Sequence, residues 1–253
     1  MIQQVSNYVS KKLINLGHKL SPLANDLSWV IPDTTPEDRE IIAEASKYTS
    51  THAVAQWAFI QAINHVHQRQ IPGDIVECGV WKGGNLVIAG MMRKRLGFQR
   101  PIWGYDTFEG MTAPHANDVK PGFKVDAAAK FLSRKRDGHV DWCYVPLADV
   151  EKNYQSAVGD LDVKLVKGDV ADTLKIEANL PKQISILRCD TDFYTSTKLE
   201  LEILYPRLVS GGILIIDDYG VWAGSRKAVD EYFGGKPPWL HYVNRGVRLM
   251  VKP

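Results

Sequence analysis

The run Pro72-Gly73-Asp74-Ile75-Val76-Glu77-Cys78-Gly79-Val80-Trp81-Lys82-Gly83-Gly84 decides how the chain is read. Its short apolar stretch is of the sort buried on both faces of a parallel sheet, and it ends in a glycine-rich turn that feeds a helix. Such a turn lets a ligand approach the backbone closely. The spacing is Glu-x-Gly-x-x-x-Gly-Gly rather than Gly-x-Gly-x-x-Gly, so a pyrophosphate cradle is not matched. An acid before the first glycine, Glu77, suits a ligand that carries an ammonium group. Tight strand-to-helix packing is the competing reason for the glycines.

Downstream the same strand, turn and helix pattern repeats. It predicts strands over 74–80, 102–106, 163–168, 184–190 and 212–217, with helices over 84–96, 170–176, 196–208 and 224–233. Right-handed crossovers stack the C-terminal ends of all these strands at one edge. The last residues break the alternation. Two strand-like runs, 240–244 and 247–252, flank Asn244-Arg245-Gly246, a hairpin signal that predicts an antiparallel final strand.

Upstream, Val5, Val9, Leu13, Leu16 and Leu20 mark an amphipathic helix, and two further helices are expected over 36–47, with Thr35 as N-cap and Pro36 at the first position, and over 51–69. Residues 1–70 therefore read as an N-terminal helical cap of the same domain, and 71–253 as its core. Between Thr107 and Val158 periodicity weakens and Gly and Pro recur, which marks an insertion at about 109–146 as a lid or acceptor-binding segment.

Composition narrows the function classes. With 31 Lys and Arg against 29 Asp and Glu, the net charge of +2 lacks the field of a nucleic-acid binder. Cys78, Cys143 and Cys189 do not form a disulfide framework. Neither a spanning apolar segment nor a signal peptide is expected, so the expectation is a cytoplasmic protein without membrane insertion. The N-terminal helices are the expected surface for a homo-oligomer.

Four strand ends carry the chemistry. Asp106, in Gly104-Tyr105-Asp106-Thr107-Phe108, is positioned to accept from ribose hydroxyls, and Asp169, in Gly168-Asp169, from the exocyclic amine of adenine; N-capping is the plainer reading of both. The pair Arg188-Cys189-Asp190-Thr191-Asp192 and Ile215-Ile216-Asp217-Asp218-Tyr219 is the strongest local signal. Four carboxylates on two neighbouring strands repel unless protonated or bridged by a cation, and all-oxygen ligation suits Mg²⁺, Mn²⁺ or Ca²⁺ rather than zinc. Asp190, Asp217 and Asp218 are assigned to the metal. If the chain stays extended, Asp190 and Asp192 face one side, with Asp192 closer to the substrate.

These motifs, in this order, from Tyr48-Thr49 through the glycine turn, Asp106-Thr107-Phe108-Glu109-Gly110, Pro146-Leu147-Ala148-Asp149-Val150, Asp190-Thr191-Asp192-Phe193-Tyr194 and Ser210-Gly211-Gly212 to Asp217-Asp218-Tyr219-Gly220, resemble the macrocin O-methyltransferase family over about residues 45–250. The resemblance implies an α/β, Rossmann-like class I methyltransferase fold: a doubly wound, mostly parallel seven-stranded sheet closed by an antiparallel C-terminal hairpin strand. It implies transfer of a methyl group from S-adenosylmethionine to a sugar hydroxyl, with Mg²⁺, or Mn²⁺ in its place, on a small-molecule or glycan acceptor. Matched motif to motif, Asp190, Asp217 and Asp218 take the metal positions and Asp192 that of the general base. Thr49, Thr51, Glu77, Gly79 and Trp81 fall at the methionine end, and Asp106, Thr107, Phe108 and Asp169 at the nucleoside. Thr191 departs from the glycine that relatives often carry, and residues 111–144 have no match. Two rival functions stand beside this one: a nicotinamide-dependent oxidoreductase of a sugar nucleotide, and a non-catalytic module of a biosynthetic complex.

Overall fold

The computed structural model describes residues 26–122 and 126–253. The amphipathic run from Val5 to Leu20, and with it the predicted oligomer surface, lies outside the described residues. The chain divides into two compact units between Glu40 and Ile41. In the first, a single turn α1 (Leu27–Val30) is capped by Asp26, which accepts from the Ser28 amide. Helix α2 (Pro36–Ala45) begins there and runs into the second unit. Thr35 and Asp38 cap its start reciprocally, each amide donating to the other's side chain at 3.1 Å, as a capping box does.

The second unit holds α3 (Ala53–Gln68), β1 (Asp74–Cys78), α4 (Gly84–Leu96), β2 (Ile102–Asp106), α5 (Ala127–Arg134), β3 (Lys135–Arg136), β4 (His139–Val140), α6 (Leu147–Val158), β5 (Lys164–Lys167), α7 (Val170–Thr173), β6 (Ile184–Cys189), α8 (Tyr194–Ile203), β7 (Leu208–Ile216), α9 (Ala223–Tyr232), β8 (His241–Tyr242) and β9 (Arg248–Val251). Among the described residues these strands form a seven-stranded sheet in the order β5-β2-β1-β6-β7-β9-β8, plus the small β3-β4 ribbon. Pairings from β5 to β7 are parallel. Strand β9 runs antiparallel to β7 and to β8, so the hairpin closes the sheet as expected.

Side chains alternate across the central strands. Val76, Cys78, Leu187, Cys189, Leu214 and Ile216 face one buried cluster, into which Leu201 and Leu204 of the α8 segment and Val229 of α9 pack. The opposite face carries Ile75, Glu77, Ile186, Arg188, Ile213 and Ile215, so it too is buried, except that two of its members are charged.

Two predicted boundaries move for local reasons. The helix expected over 196–208 ends at Ile203, because Pro206 has no N–H to continue it and the chain tightens into a 3-10 turn, Tyr205–Arg207. Strand β7 starts at Leu208 rather than at 212, and its register against β6 jumps between the Ile184↔Leu208 and Ile186↔Ile213 pairs. The extra residues bulge at Ser210-Gly211-Gly212, where Gly211 takes φ 78. The weakly periodic insertion is in part folded, with α5, the β3-β4 ribbon and α6.

Candidate active site at the strand ends

The C-terminal ends of β1, β2, β5, β6 and β7 open on one cavity of about 670 Å³, and the insertion and the C-terminal hairpin turn supply its remaining walls. At the end of β1 the chain passes so close to β6 that a Cβ on Gly79 would lie 2.0 Å from the Asp190 carbonyl oxygen, at φ +82. Gly84 opens α4 against Thr49, whose Cβ would be 2.5 Å from a side chain there. Packing thus accounts for both glycines, and the resulting turn still faces the cavity.

Asp106 organises this half of the site. Its Oδ2 accepts from the Val80 and Trp81 amides at 2.8 and 3.1 Å, and its Oδ1 from the Phe108 amide at 2.8 Å. Trp81 and Phe108 both adopt left-handed backbone, φ 47 and 52, so Asp106 pins the two costly residues of two loops. Burial raises its carboxyl above the ordinary value, and the three backbone bonds work against that rise. Thr107 lines the cavity and donates to the Gly110 carbonyl at 2.6 Å, whereas Phe108 is buried and turned out of the lining. Asp169 lines the cavity and caps α7 through the Ala171 amide at 2.9 Å. Thr49, Thr51, Gly79 and Trp81 line the wall by the glycine turn.

Glu77 stands behind that wall, 2% exposed and outside the lining. It accepts from Asn85 Nδ2 at 2.9 Å and pairs with Arg188 Nε at 3.3 Å. Burial pushes its carboxyl up to about 7, against the pull of Arg188.

The other half is built from β6 and β7. Asp190, Asp217 and Asp218 each offer a carboxylate oxygen, and these oxygens lie within 4.8 Å of one another. All three border the cavity. Arg188 is their buried counter-charge: its Nη2 sits 2.6 Å from Asp217 Oδ1 and 3.0 Å from Asp190 Oδ2. Desolvation raises the Asp190 and Asp218 carboxyls well above the usual range. For Asp190 Arg188 opposes this and Asp217 adds to it; for Asp218 the charge of Asp192 adds to it.

Asp192 is not reached by extended chain. Strand β6 stops at Cys189, and Asp192 itself takes φ 65, a conformation aspartate tolerates better than most residues. Thr191 keeps ordinary backbone and donates to Glu200 Oε1 of α8 at 2.8 Å. The turn is closed by the Asp192 amide on Asp218 Oδ2 at 3.1 Å and by the Trp222 indole N–H on Asp192 Oδ1. Burial raises the Asp192 carboxyl, while its bonds from Asp218 and Trp222 and the charge of Lys120 lower it.

Sequence reasoning passed over Arg188, Asn85 and the aromatic wall. Trp222 packs edge to face on Phe193 at 5.2 Å, with Trp142 of the insertion 6.3 Å from Trp222 and Lys120 Nζ 4.4 Å above the Trp222 ring. Arg188 carried a signal: a lone charge in an apolar strand, Ile184-Ser185-Ile186-Leu187-Arg188-Cys189, has to find acids nearby. The aromatic residues lie on separate loops and carried none.

Comparison with known proteins adds to this geometry. A family model described as macrocin-O-methyltransferase (TylF) matches residues 47–236. The chain is 35% identical over 167 residues to the 8-demethyl-8-(2,3-dimethoxy-alpha-L-rhamnosyl)-tetracenomycin-C 4'-O-methyltransferase of Streptomyces olivaceus, covering 65% of this chain and 59% of that enzyme. It is 32% identical over 175 residues to the demethyldecarbamoylnovobiocin O-methyltransferase of Streptomyces niveus, covering 68% of this chain and 62% of that enzyme. The matches span about three fifths of the length of the curated relatives. Among solved structures, the O-methyltransferase NovP superposes with a TM-score of 0.69 at 26% identity over 81% of this chain and 82% of its own. The calicheamicin methyltransferase CalS11, at 19% identity and TM-score 0.59 over 86% and 93%, shares the fold. The sheet is that of the class I methyltransferases.

Proposed function

Because this chain belongs to the macrocin-O-methyltransferase family, we propose that it is an S-adenosylmethionine- and Mg²⁺-dependent O-methyltransferase acting on a sugar hydroxyl of a glycosylated natural product. The convergence of Asp190, Asp217 and Asp218 beside Asp192 in one cavity carries this reading. The names of the relatives, which methylate a rhamnosyl-tetracenomycin, a novobiocin precursor and a mycinamicin, support the acceptor class.

The residues fit both groups. Three acidic oxygen donors suit a hard divalent cation, Mg²⁺ or Mn²⁺, and among the described residues no soft ligand joins them in the cluster. The cavity is large enough for a nucleoside and an acceptor together. Asp106 and Asp169 retain unused lone pairs for the ribose and the adenine amine. Thr49, Thr51, Gly79 and Trp81 border the space left for the methionine end, with Glu77 behind it.

When bound, the cofactor supplies an electrophilic methyl group and the cation supplies Lewis acidity. The protein's own part is to position, shield and deprotonate. Asp192 Oδ1 is occupied by the Trp222 indole, so Oδ2 is the atom that takes the hydroxyl proton. Its raised carboxyl is a stronger base than an exposed aspartate, and the charge of Lys120 opposes part of that rise. Trp222, 1% exposed, fixes that carboxylate, and Trp142 and Met111 close the acceptor side against water.

Methyl transfer from labelled S-adenosylmethionine to a deoxysugar-bearing macrolide, with and without EDTA, tests the reading. Transfer is expected only with free Mg²⁺, and undiminished transfer in excess EDTA overturns the metal role. Calorimetry with S-adenosylhomocysteine against NAD separates methyl transfer from nicotinamide chemistry: binding of NAD alone would reverse the assignment.

A further inference from the structure

We propose that Asn85 binds the ammonium group of the methionine end of the cofactor through its side-chain carbonyl, taking the role that position alone suggests for Glu77. The inference rests on the cofactor assigned above and concerns how that site tells one end of a zwitterion from the other.

Asn85 is 5% exposed and borders the cavity, whereas Glu77 does not. The Asn85 amide cannot turn freely. Its Nδ2 donates to Glu77 Oε1 at 2.9 Å, which turns Oδ1 away from Glu77. That Oδ1 is buried without a partner. A buried, unpartnered carbonyl costs free energy until a donor reaches it, and the ammonium group is the donor that the methionine end supplies.

The neighbouring threonine pair has the opposite polarity. Thr49 Oγ1 and Thr51 Oγ1 are 3.0 Å apart, the Thr51 amide donates to Thr49 Oγ1, and Arg188 Nη2 donates to Thr51 Oγ1 at 3.3 Å. One hydroxyl hydrogen is consumed between the two threonines. The other is left to point into the cavity, where a carboxylate accepts it. Asn85 thus presents an acceptor and the threonine pair a donor on the same side of the cavity, and the two ends of a zwitterion are told apart by which of them each meets.

The test is calorimetric, on the intact protein with Mg²⁺ held constant. The ligands are S-adenosylhomocysteine, its des-amino analogue and 5′-methylthioadenosine, which lacks the amino acid altogether. Asn85→Leu and Asn85→Ala are each expected to weaken S-adenosylhomocysteine about tenfold or more, to leave 5′-methylthioadenosine unchanged, and to show no further loss with the des-amino analogue. Unaltered melting temperatures confirm that the variants fold, and two replacements guard against one that does not. Unchanged affinity for S-adenosylhomocysteine overturns the role of Asn85. So does an equal loss for 5′-methylthioadenosine, which would mean only that the glycine turn had been disturbed. If the parent protein binds none of the three, the cofactor assignment itself has failed.

Discussion

Asp106, at the end of β2, and Asp218, just beyond β7, are acids of the same cavity with different surroundings. Asp106 accepts three backbone N–H groups, so its charge is answered by fixed dipoles that shape the loops around it. Asp218 accepts one, from Asp192, and its other near neighbours include two more aspartates, Asp190 and Asp217. Around Asp106 the sheet edge is braced by its own backbone, whereas around Asp218 it gathers carboxylates that the proposed function assigns to a cation. A strand-end acid therefore does not declare its role by position; what faces it decides.

The largest effect that would break this contrast is expected at Arg188, the buried cation of the second half. Arg188→Met leaves Asp190, Asp217 and Glu77 without it and should cost about 3–5 kcal/mol in a chelated sample, measured by denaturant titration. Mg²⁺ should restore part of the loss, and an equal loss with and without Mg²⁺ would mean that the carboxylates are not a cation site.

Next comes pH. Glu200, beneath Thr191, is fully buried with Oε2 unpartnered, and burial pushes it from 4.5 to about 8. Its folded-state value is raised, so its contribution to stability is complete below the unfolded value and is lost as pH rises through the folded one. Linkage puts the loss at about 3 kcal/mol by neutral pH. Glu200→Gln keeps an acceptor for Thr191 and should flatten the melting temperature between acid and neutral pH; a parallel decline in both proteins would place the loss elsewhere.

Asp192→Asn sharpens the contrast within the second half. Turnover should fall about a hundredfold or more while affinity for S-adenosylhomocysteine holds. A variant with normal turnover would remove Asp192 as the base. The smallest effect is expected in the half around Asp106. Asp106→Asn puts an NH₂ against a backbone donor and should cost about 1–3 kcal/mol whether or not Mg²⁺ is present. A cost that Mg²⁺ changes would erase the distinction between the halves.

Much of this was legible because sheet packing writes itself into short apolar runs. The five parallel strands, the closing hairpin and the convergence of Asp190, Asp217 and Asp218 follow from runs and ends alone. Position could not show the direction in which a side chain leaves its strand end. Glu77 precedes the glycine turn yet points behind the wall, and Phe108 follows Asp106 yet turns into the core. Nor could position show that Asp192 takes the left-handed backbone that turns the chain after β6. The aromatic wall, made of Lys120, Trp142 and Trp222 from distant loops, depends on tertiary packing that no local pattern encodes.

Arg188 has a last consequence, for the order of events in the life of the molecule. A cluster of acids without an internal cation could close only around its ion, and synthesis would then wait on loading. Here one guanidinium spans the Asp190 and Asp217 carboxylates within 3.0 Å, so their charge is answered from within the fold. Under the proposed function, loading is then a reversible exchange with the ionic medium rather than a step in maturation.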